Sequence, residues 1–234
     1  MARWDDIQVD GDSMRCYVGA PQSGDPRPAV VVIQHAGGVD EFVRGMTDRF
    51  AGAGYFAMAP DLYHRDDPSS SDDPMTRMSR LRDASIVADV NAAIEHLKAL
   101  AEVRTDRIGI TGYCMGGRVT YLMAAKRSDL RAAVVCWGEN IMAPWGDGPA
   151  PFDLTEDISC PIMGLFGEDD PNPNPADVAK LDAELTRRGK PHEFHSYAGA
   201  GHAFMNKGRP SYREEAAKDA WAKCLGWFEL HLKA

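Results

Sequence analysis

The sequence lacks an apolar run long enough to span a membrane. Of its 234 residues, 44% are hydrophobic, yet none of its apolar runs approaches the roughly 18 consecutive residues that a transmembrane helix needs. The first six residues, Met-Ala-Arg-Trp-Asp-Asp, also lack the apolar segment of a signal peptide. We therefore expect a cytoplasmic protein with no membrane partner.

The chain has fewer basic than acidic residues. The chain has 26 Lys and Arg residues against 35 Asp and Glu residues, which gives a formal net charge of −9. An acidic surface repels nucleic acid and anionic lipid. We expect no nucleic-acid partner, and a monomer or small homo-oligomer.

Paired metal-binding or redox motifs are also absent. The sequence contains no C-x-x-C and no H-E-x-x-H pattern, and its five cysteines are widely scattered. They are Cys16, Cys114, Cys136, Cys160 and Cys224. We expect reduced thiols, no metal site and no cofactor.

What the sequence does contain is an alternation of short apolar runs with amphipathic stretches. This pattern is typical of an α/β fold, with a mostly parallel central sheet and helices on both faces. The predicted strands are 29–34, 55–59, 107–111, 132–137, 161–166 and 192–197, and the predicted helices are 43–52, 78–100, 116–126, 175–188 and 211–233. The length favours one domain over 1–234.

Two polar segments interrupt this alternation. Residues 63–73 and 140–157 have the composition of loops and are long for connections within a compact domain. Each could be a lid or a solvated connection.

The strongest chemical signal is Gly-Tyr-Cys-Met-Gly-Gly at 112–117. It follows a predicted strand and precedes a predicted helix, which is the context of a nucleophile elbow. The helix N-terminus favours the thiolate form of Cys114. Alone the motif is weak, because a lone cysteine is more often a small buried hydrophobe. The assignment therefore depends on an acid and a base later in the chain.

Both follow in the order expected of this fold: nucleophile, acid, base. The predicted strand 161–166 ends in an acidic turn that contains Asp169 and Asp170. Asp170 is favoured as the acid, and either residue could instead cap the next helix. His202 follows the last predicted strand on a glycine-containing loop, where a base is a better explanation than packing.

Together these residues predict nucleophilic acyl transfer on a small-molecule ester or lactone substrate. His202 takes the proton of Cys114, the thiolate attacks a carbonyl, and water activated by His202 hydrolyses the thioester. Asp170 orients the imidazole. The backbone amides of Met115 and Ala36 are the candidate donors of the oxyanion hole.

The residues resemble those of the dienelactone hydrolase (carboxymethylenebutenolidase) family of α/β-hydrolases. The resemblance spans most of the chain. The matching segments are Gly-Tyr-Cys-Met-Gly-Gly at 112–117, Ala-Pro-Asp-Leu-Tyr at 59–63, the Asp170 turn, and Gly-His-Ala-Phe at 201–204. The resemblance implies an α/β-hydrolase fold and a triad of Cys114, Asp170 and His202. It also implies cleavage of a cyclic enol ester formed during the degradation of chlorinated aromatic compounds.

One departure from the family follows the first predicted strand. Well-studied members have Gln-Glu there, and the glutamate interacts with the resting thiol, whereas this chain has Gln34-His35. A neutral His35 could accept the thiol proton, and a protonated one could stabilise the thiolate. Alternatively, the ring only shapes the oxyanion loop.

A second departure lies four residues beyond the candidate base. Dienelactone-specific members carry an arginine there that pairs with the substrate carboxylate, but this chain has Asn206 followed by Lys207. An ammonium lacks the bidentate fork of a guanidinium. Arg77, Arg80 and Arg82 could supply another carboxylate contact or form a solvated helix face.

Three functions remain open at this point. A dienelactone-type hydrolase is favoured, and a broad carboxylesterase for neutral short-chain or aryl esters is the alternative that the missing arginine supports. A non-catalytic, redox-sensing thiol protein is the third, with Cys114 as sensor and Cys136 as the candidate resolving cysteine.

Overall fold

The computed structural model describes residues 2–21, 24–67 and 69–233. Residues 1 and 234, at the ends of the predicted domain 1–234, and Pro68, in the segment 63–73, lie outside the described residues. The strands are β1 (Ala2–Val9), β2 (Asp12–Gly19), β3 (Arg27–Ile33), β4 (Phe56–Pro60), β5 (Val103–Tyr113), β6 (Ala132–Cys136), β7 (Ile162–Gly167) and β8 (His192–Tyr197). The helices are α1 (Glu41–Gly52), α2 (Pro74–Arg80), α3 (Asp83–Ala99), α4 (Met115–Lys126), α5 (Pro175–Arg187) and α6 (Glu214–Phe228), with a 3₁₀ helix at Pro151–Asp157 and a π-helical turn at Glu229–Lys233.

The strands form one eight-stranded sheet in the order β1-β2-β4-β3-β5-β6-β7-β8. From β4 to β8 all neighbours are parallel, whereas β2 is antiparallel to both of its neighbours, β1 and β4. Alternate β3 side chains enter two separate buried clusters, since Val31 packs on one face and Val30 on the other. Helices α3, α4 and α5 cover the first face, and α1 and α6 cover the second. The predicted α/β-hydrolase fold is confirmed.

The N-terminal hairpin of β1 and β2 is not among the predicted strands. These strands alternate buried and exposed residues along much of their length, because they lie at the edge of the sheet and one face meets solvent. The turn between them is Asp10-Gly11, with φ values of 52° and 93°. Asp-Gly is a hairpin signal, so the sequence did carry a cue for it.

The predicted helix 78–100 is two helices in the structure. Helix α2 begins one turn earlier, where the Asp73 side chain accepts from the Met75 amide at 2.9 Å, and it ends before Leu81, which is extended. Helix α3 then starts at Asp83. No helix within the described residues is both long enough and apolar enough to cross a membrane.

A buried ion pair joins α3, α4 and the segment after β6. The Arg118 side chain is 0% exposed and pairs with Asp83, with Nη2 and Oδ2 2.9 Å apart. It also donates to the carbonyls of Asn140 at 3.1 Å and Ala143 at 2.7 Å, and its guanidinium carbon lies 4.1 Å from the Trp145 ring centroid. The segment that follows β6 is thereby fixed to a buried charge.

We expect Arg118→Met to lower the free energy of unfolding by about 3–5 kcal/mol, because the substitution leaves the Asp83 carboxylate without its partner. Chemical denaturation would measure the change. Arg104→Met is the matched control, because Arg104 is 40% exposed in its ion pair with Asp106 and such pairs contribute less than about 1 kcal/mol. Equal losses in the two variants would contradict a structural role for the Arg118 pair.

Candidate active site

Cys114 lies on the sharp turn between β5 and α4. Its φ of 60° and ψ of −121° place a non-glycine residue in a strained conformation. The turn is packed so closely that a Cβ on Gly112 would lie 2.1 Å from the Gly116 carbonyl oxygen, and a Cβ on Gly116 would lie 2.5 Å from that of Gln34. Glycine at these positions therefore lets α4 approach the end of β3 and holds the thiol at the sheet's carboxyl edge.

His202 and Asp170 meet at the same edge, after β8 and β7. Asp170 is buried, and its Oδ2 lies 2.9 Å from Nδ1 of His202. Its other oxygen accepts the amide of Asn172 at 2.9 Å. Asp169 is exposed. The structure thus brings Asp170 rather than Asp169 to the histidine.

Two opposing effects act on the pKa of His202. Burial acts to lower it, but the hydrogen bonds and negative charges of Asp170 and Cys114 outweigh burial and raise the pKa to about 10. Because Nδ1 faces Asp170, Nε2 is the nitrogen left for the thiol. This environment favours the imidazolium form of His202 at neutral pH.

A third ionisable group, Glu139, completes the cluster, and the sequence analysis missed it. The Cys114 Sγ, a Glu139 carboxylate oxygen and a His202 ring nitrogen all lie within 4.8 Å of one another. Thiolate, imidazole and carboxylate are ligands that a zinc-like cation accepts. The cue available in the sequence is weak, since Glu139 only follows a buried strand and belongs to none of the motifs.

The two residues that are candidates for the oxyanion hole, Ala36 and Met115, both contact Tyr63. Met115 is the first residue of α4, where an amide has no acceptor within the helix. The Tyr63 hydroxyl donates to the Ala36 carbonyl at 3.0 Å and contacts the Met115 sulfur at 3.5 Å. Burial raises the pKa of Tyr63, which keeps the phenol protonated as a donor. Tyr63 therefore links the two candidate halves of the oxyanion hole.

Both ring nitrogens of His35 are engaged within its own loop. Nδ1 accepts the Gly37 amide at 3.1 Å, so Nε2 carries the proton and faces Asp40 Oδ2 at 2.9 Å. The ring also packs edge-on against Phe42, with centroids 5.9 Å apart. Of the roles left open for His35, this arrangement supports the one in which it shapes the loop.

Among the candidate cations, Arg77 packs against a residue that contacts the oxyanion loop. Its guanidinium carbon lies 4.1 Å from the centroid of Tyr63, the residue that contacts Ala36. Its Nε also donates to Asp66 at 2.7 Å. The first part of the segment 63–73 is thus tied down beside the site.

The other candidate cations have different surroundings. Arg80 is 47% exposed and pairs with Asp72. Arg82 donates to backbone carbonyls at the end of α2. Lys207 lines an open groove of about 910 Å³ between α1 and the segment after His202, together with Phe42.

The chain matches proteins of known family along nearly its whole length. Residues 14–232 match the profile described as "Dienelactone hydrolase family". A Methylorubrum extorquens protein named "Putative carboxymethylenebutenolidase" is 35% identical over 225 residues, which is 92% of this chain and 76% of that protein. A Bradyrhizobium protein named "Probable 2-oxo-3-(5-oxofuran-2-ylidene)propanoate lactonase" is 31% identical over 235 residues, or 98% and 94%.

A solved structure agrees with these sequence matches. The crystal structure of a "Putative Dienelactone Hydrolase" from Klebsiella pneumoniae subsp. pneumoniae MGH 78578 superposes with a TM-score of 0.91 at 34% identity, covering 97% of this chain and 98% of that one. The resemblance inferred from the motifs is therefore confirmed. The chain belongs to the dienelactone hydrolase family and is a hydrolase that acts on esters.

Proposed function

We propose that the protein hydrolyses a lactone or ester through a triad of Cys114, His202 and Asp170. The observation that carries the proposal is the placement of His202 between a buried carboxylate, 2.9 Å from Nδ1, and the thiol, within 4.8 Å of the ring. A nucleophile, a base and an orienting acid in this arrangement are the parts that acyl transfer needs.

The reaction begins with the thiolate attacking the carbonyl carbon. The negative charge that develops on the carbonyl oxygen is stabilised by the amides of Met115 and Ala36. The imidazolium of His202 then protonates the leaving oxygen, which gives a thioester on Cys114. Asp170 holds the imidazole in the tautomer that each proton transfer requires.

The proposed substrate is an anionic lactone of the dienelactone type. Arg77 supports this choice, because its guanidinium lies against the Tyr63 ring beside the oxyanion loop. Neutral esters are the second candidate, because Arg77 already pairs with Asp66 and the aspartate partly offsets the positive charge that a substrate carboxylate would meet.

Cys114→Ala and His202→Ala are each expected to abolish turnover of cis- and trans-dienelactone and of p-nitrophenyl acetate, with kcat/KM falling at least about 1000-fold. Steady-state rates measure the loss. Cys136→Ala is the control and keeps activity, because burial raises the pKa of that thiol to about 12. If Cys114→Ala has the same kcat/KM as the wild type, the proposal is wrong and a redox-sensing role for Cys114 gains support.

Arg77→Met is expected to raise KM for the anionic lactones about 10-fold, because it removes the charged hydrogen bond proposed between the half-buried guanidinium and the substrate carboxylate. KM for p-nitrophenyl acetate, which has no carboxylate, stays within about 2-fold of the wild-type value. Arg80→Met is the matched control and leaves both substrates unchanged. Equal effects on neutral and anionic substrates would refute a role for Arg77 in carboxylate binding.

The protonation of His202 depends on Asp170, and NMR titration of the ring can follow it. We expect wild-type His202 to lose its proton near pH 10, and Asp170→Asn to move that pKa towards the ordinary 6.5. Because the folded state holds this proton more tightly, the associated stabilisation is complete below about pH 6.5 and is lost as pH rises through about 10. Asp169→Asn should leave the titration unchanged, and an identical shift there would count against the assignment of Asp170.

A further inference from the structure

Glu139 is held firmly in place beside the thiol. It lies between Trp137 and Asn140, two non-glycine residues with positive φ values of 38° and 54°. Its amide faces the Cys114 carbonyl at 3.4 Å. A backbone held in such conformations by its surroundings marks a segment whose geometry is strongly constrained.

Neighbouring contacts fix the same segment from outside. Arg118 donates to the Asn140 carbonyl at 3.1 Å, and the Asn172 side chain lies 3.4 Å from both the amide and the side-chain oxygen of Asn140. Asn172 also donates its own amide to Asp170. The loop that carries Glu139 is therefore braced against the turn that carries the triad's acid.

The Glu139 side chain is 9% exposed, and its Oε1 is buried with no hydrogen-bond partner. A buried carboxylate oxygen without a partner is costly. The oxygen that approaches Sγ and the His202 nitrogen within 4.8 Å belongs to this same carboxylate. A hydrogen-bond donor that enters the site during the reaction would satisfy this carboxylate.

The charge of Glu139 suits one half of the reaction better than the other. Next to a Cys114 thiolate, the carboxylate adds a like charge and gives no help to the attack. After acylation the thiolate charge is gone. His202 must then take a proton from water, and a carboxylate beside it stabilises the imidazolium that forms.

We propose that Glu139 positions the water that hydrolyses the thioester. A single water that donates one hydrogen to each of two acceptors can bridge atoms about 4.5–5 Å apart, and the Glu139 oxygen and the His202 nitrogen lie within 4.8 Å. The water is then held beside the carbonyl carbon attached to Sγ. This inference rests on the proposed covalent mechanism.

The step balances with no further reactant. The water oxygen forms a bond to the carbonyl carbon while one of its protons moves to His202. The C–S bond then breaks, and its electron pair returns to Sγ as the thiolate. The acid product leaves and loses its remaining proton to solvent. Glu139 accepts a hydrogen bond throughout and does not itself take the proton.

Stopped-flow hydrolysis of p-nitrophenyl acetate by Glu139→Gln tests the proposal, in the presence of EDTA so that no cation occupies the cluster. We expect deacylation to slow at least about 10-fold, because the water is no longer held where His202 can take its proton. Acylation should stay within about 3-fold. A burst of p-nitrophenolate appears, kcat and KM fall together while kcat/KM is preserved, and mass spectrometry finds acetylated enzyme.

Two comparisons show whether the effect is specific. Glu168→Gln replaces an exposed glutamate that follows β7 and should show wild-type kinetics. Glu139→Asp keeps the charge with a shorter reach and should give an intermediate deacylation rate. Hydroxylamine, which does not need the same proton transfer, should restore turnover of the acetylated Glu139→Gln enzyme.

Other outcomes have distinct meanings. A parallel fall of kcat and kcat/KM without a burst would place Glu139 in acylation or in folding and overturn the proposal, as would unchanged kinetics. If the wild type forms no acetyl-enzyme and Cys114→Ala still hydrolyses the ester, the covalent mechanism itself fails. That result is distinct from a failure of the role proposed for Glu139 alone.

Discussion

The site depends on the close packing of backbone at the β5–α4 turn. Glycines at 112 and 116 allow the start of α4 to approach the end of β3, where a Cβ would collide with carbonyl oxygens at 2.1 and 2.5 Å. Cys114 lies in this turn with a φ of 60°, and Met115, whose amide is a candidate oxyanion donor, follows it at the start of α4. A rigid turn of this kind fixes the nucleophile and the candidate oxyanion donors with one set of contacts.

Around this turn, two acidic side chains each face a cationic side chain. Asp170 faces His202, and Asp83 faces the fully buried Arg118, which in turn fixes the start of the segment 140–157. Glu139 is the exception, because one of its oxygens is buried without a partner. Glu139 lies beside His202, which gains positive charge in the proposed hydrolysis of the thioester, and a carboxylate there stabilises that charge.

Several features could be predicted because they depend on local pattern. Buried parallel strands are near-continuous apolar runs, and each of the six predicted strands overlaps an observed one. The elbow motif and the order of nucleophile, acid and base likewise follow from the chain alone. The β1–β2 hairpin was missed because an edge strand alternates polar and apolar residues, and the break before α3 was missed because the apolar spacing continues across it.

The sequence by itself therefore determined the fold class and the family, and it singled out Cys114, His202 and the acidic turn as candidates for the triad. Only the tertiary structure decided between Asp169 and Asp170, because burial and a 2.9 Å contact depend on how β7 and β8 meet. The tertiary structure also places Asp40 and the Gly37 amide against the two ring nitrogens of His35, and it brings Glu139 to the thiol. The physical reason is that these groups come from strand ends that are distant in sequence, and the parallel sheet gathers them at one edge.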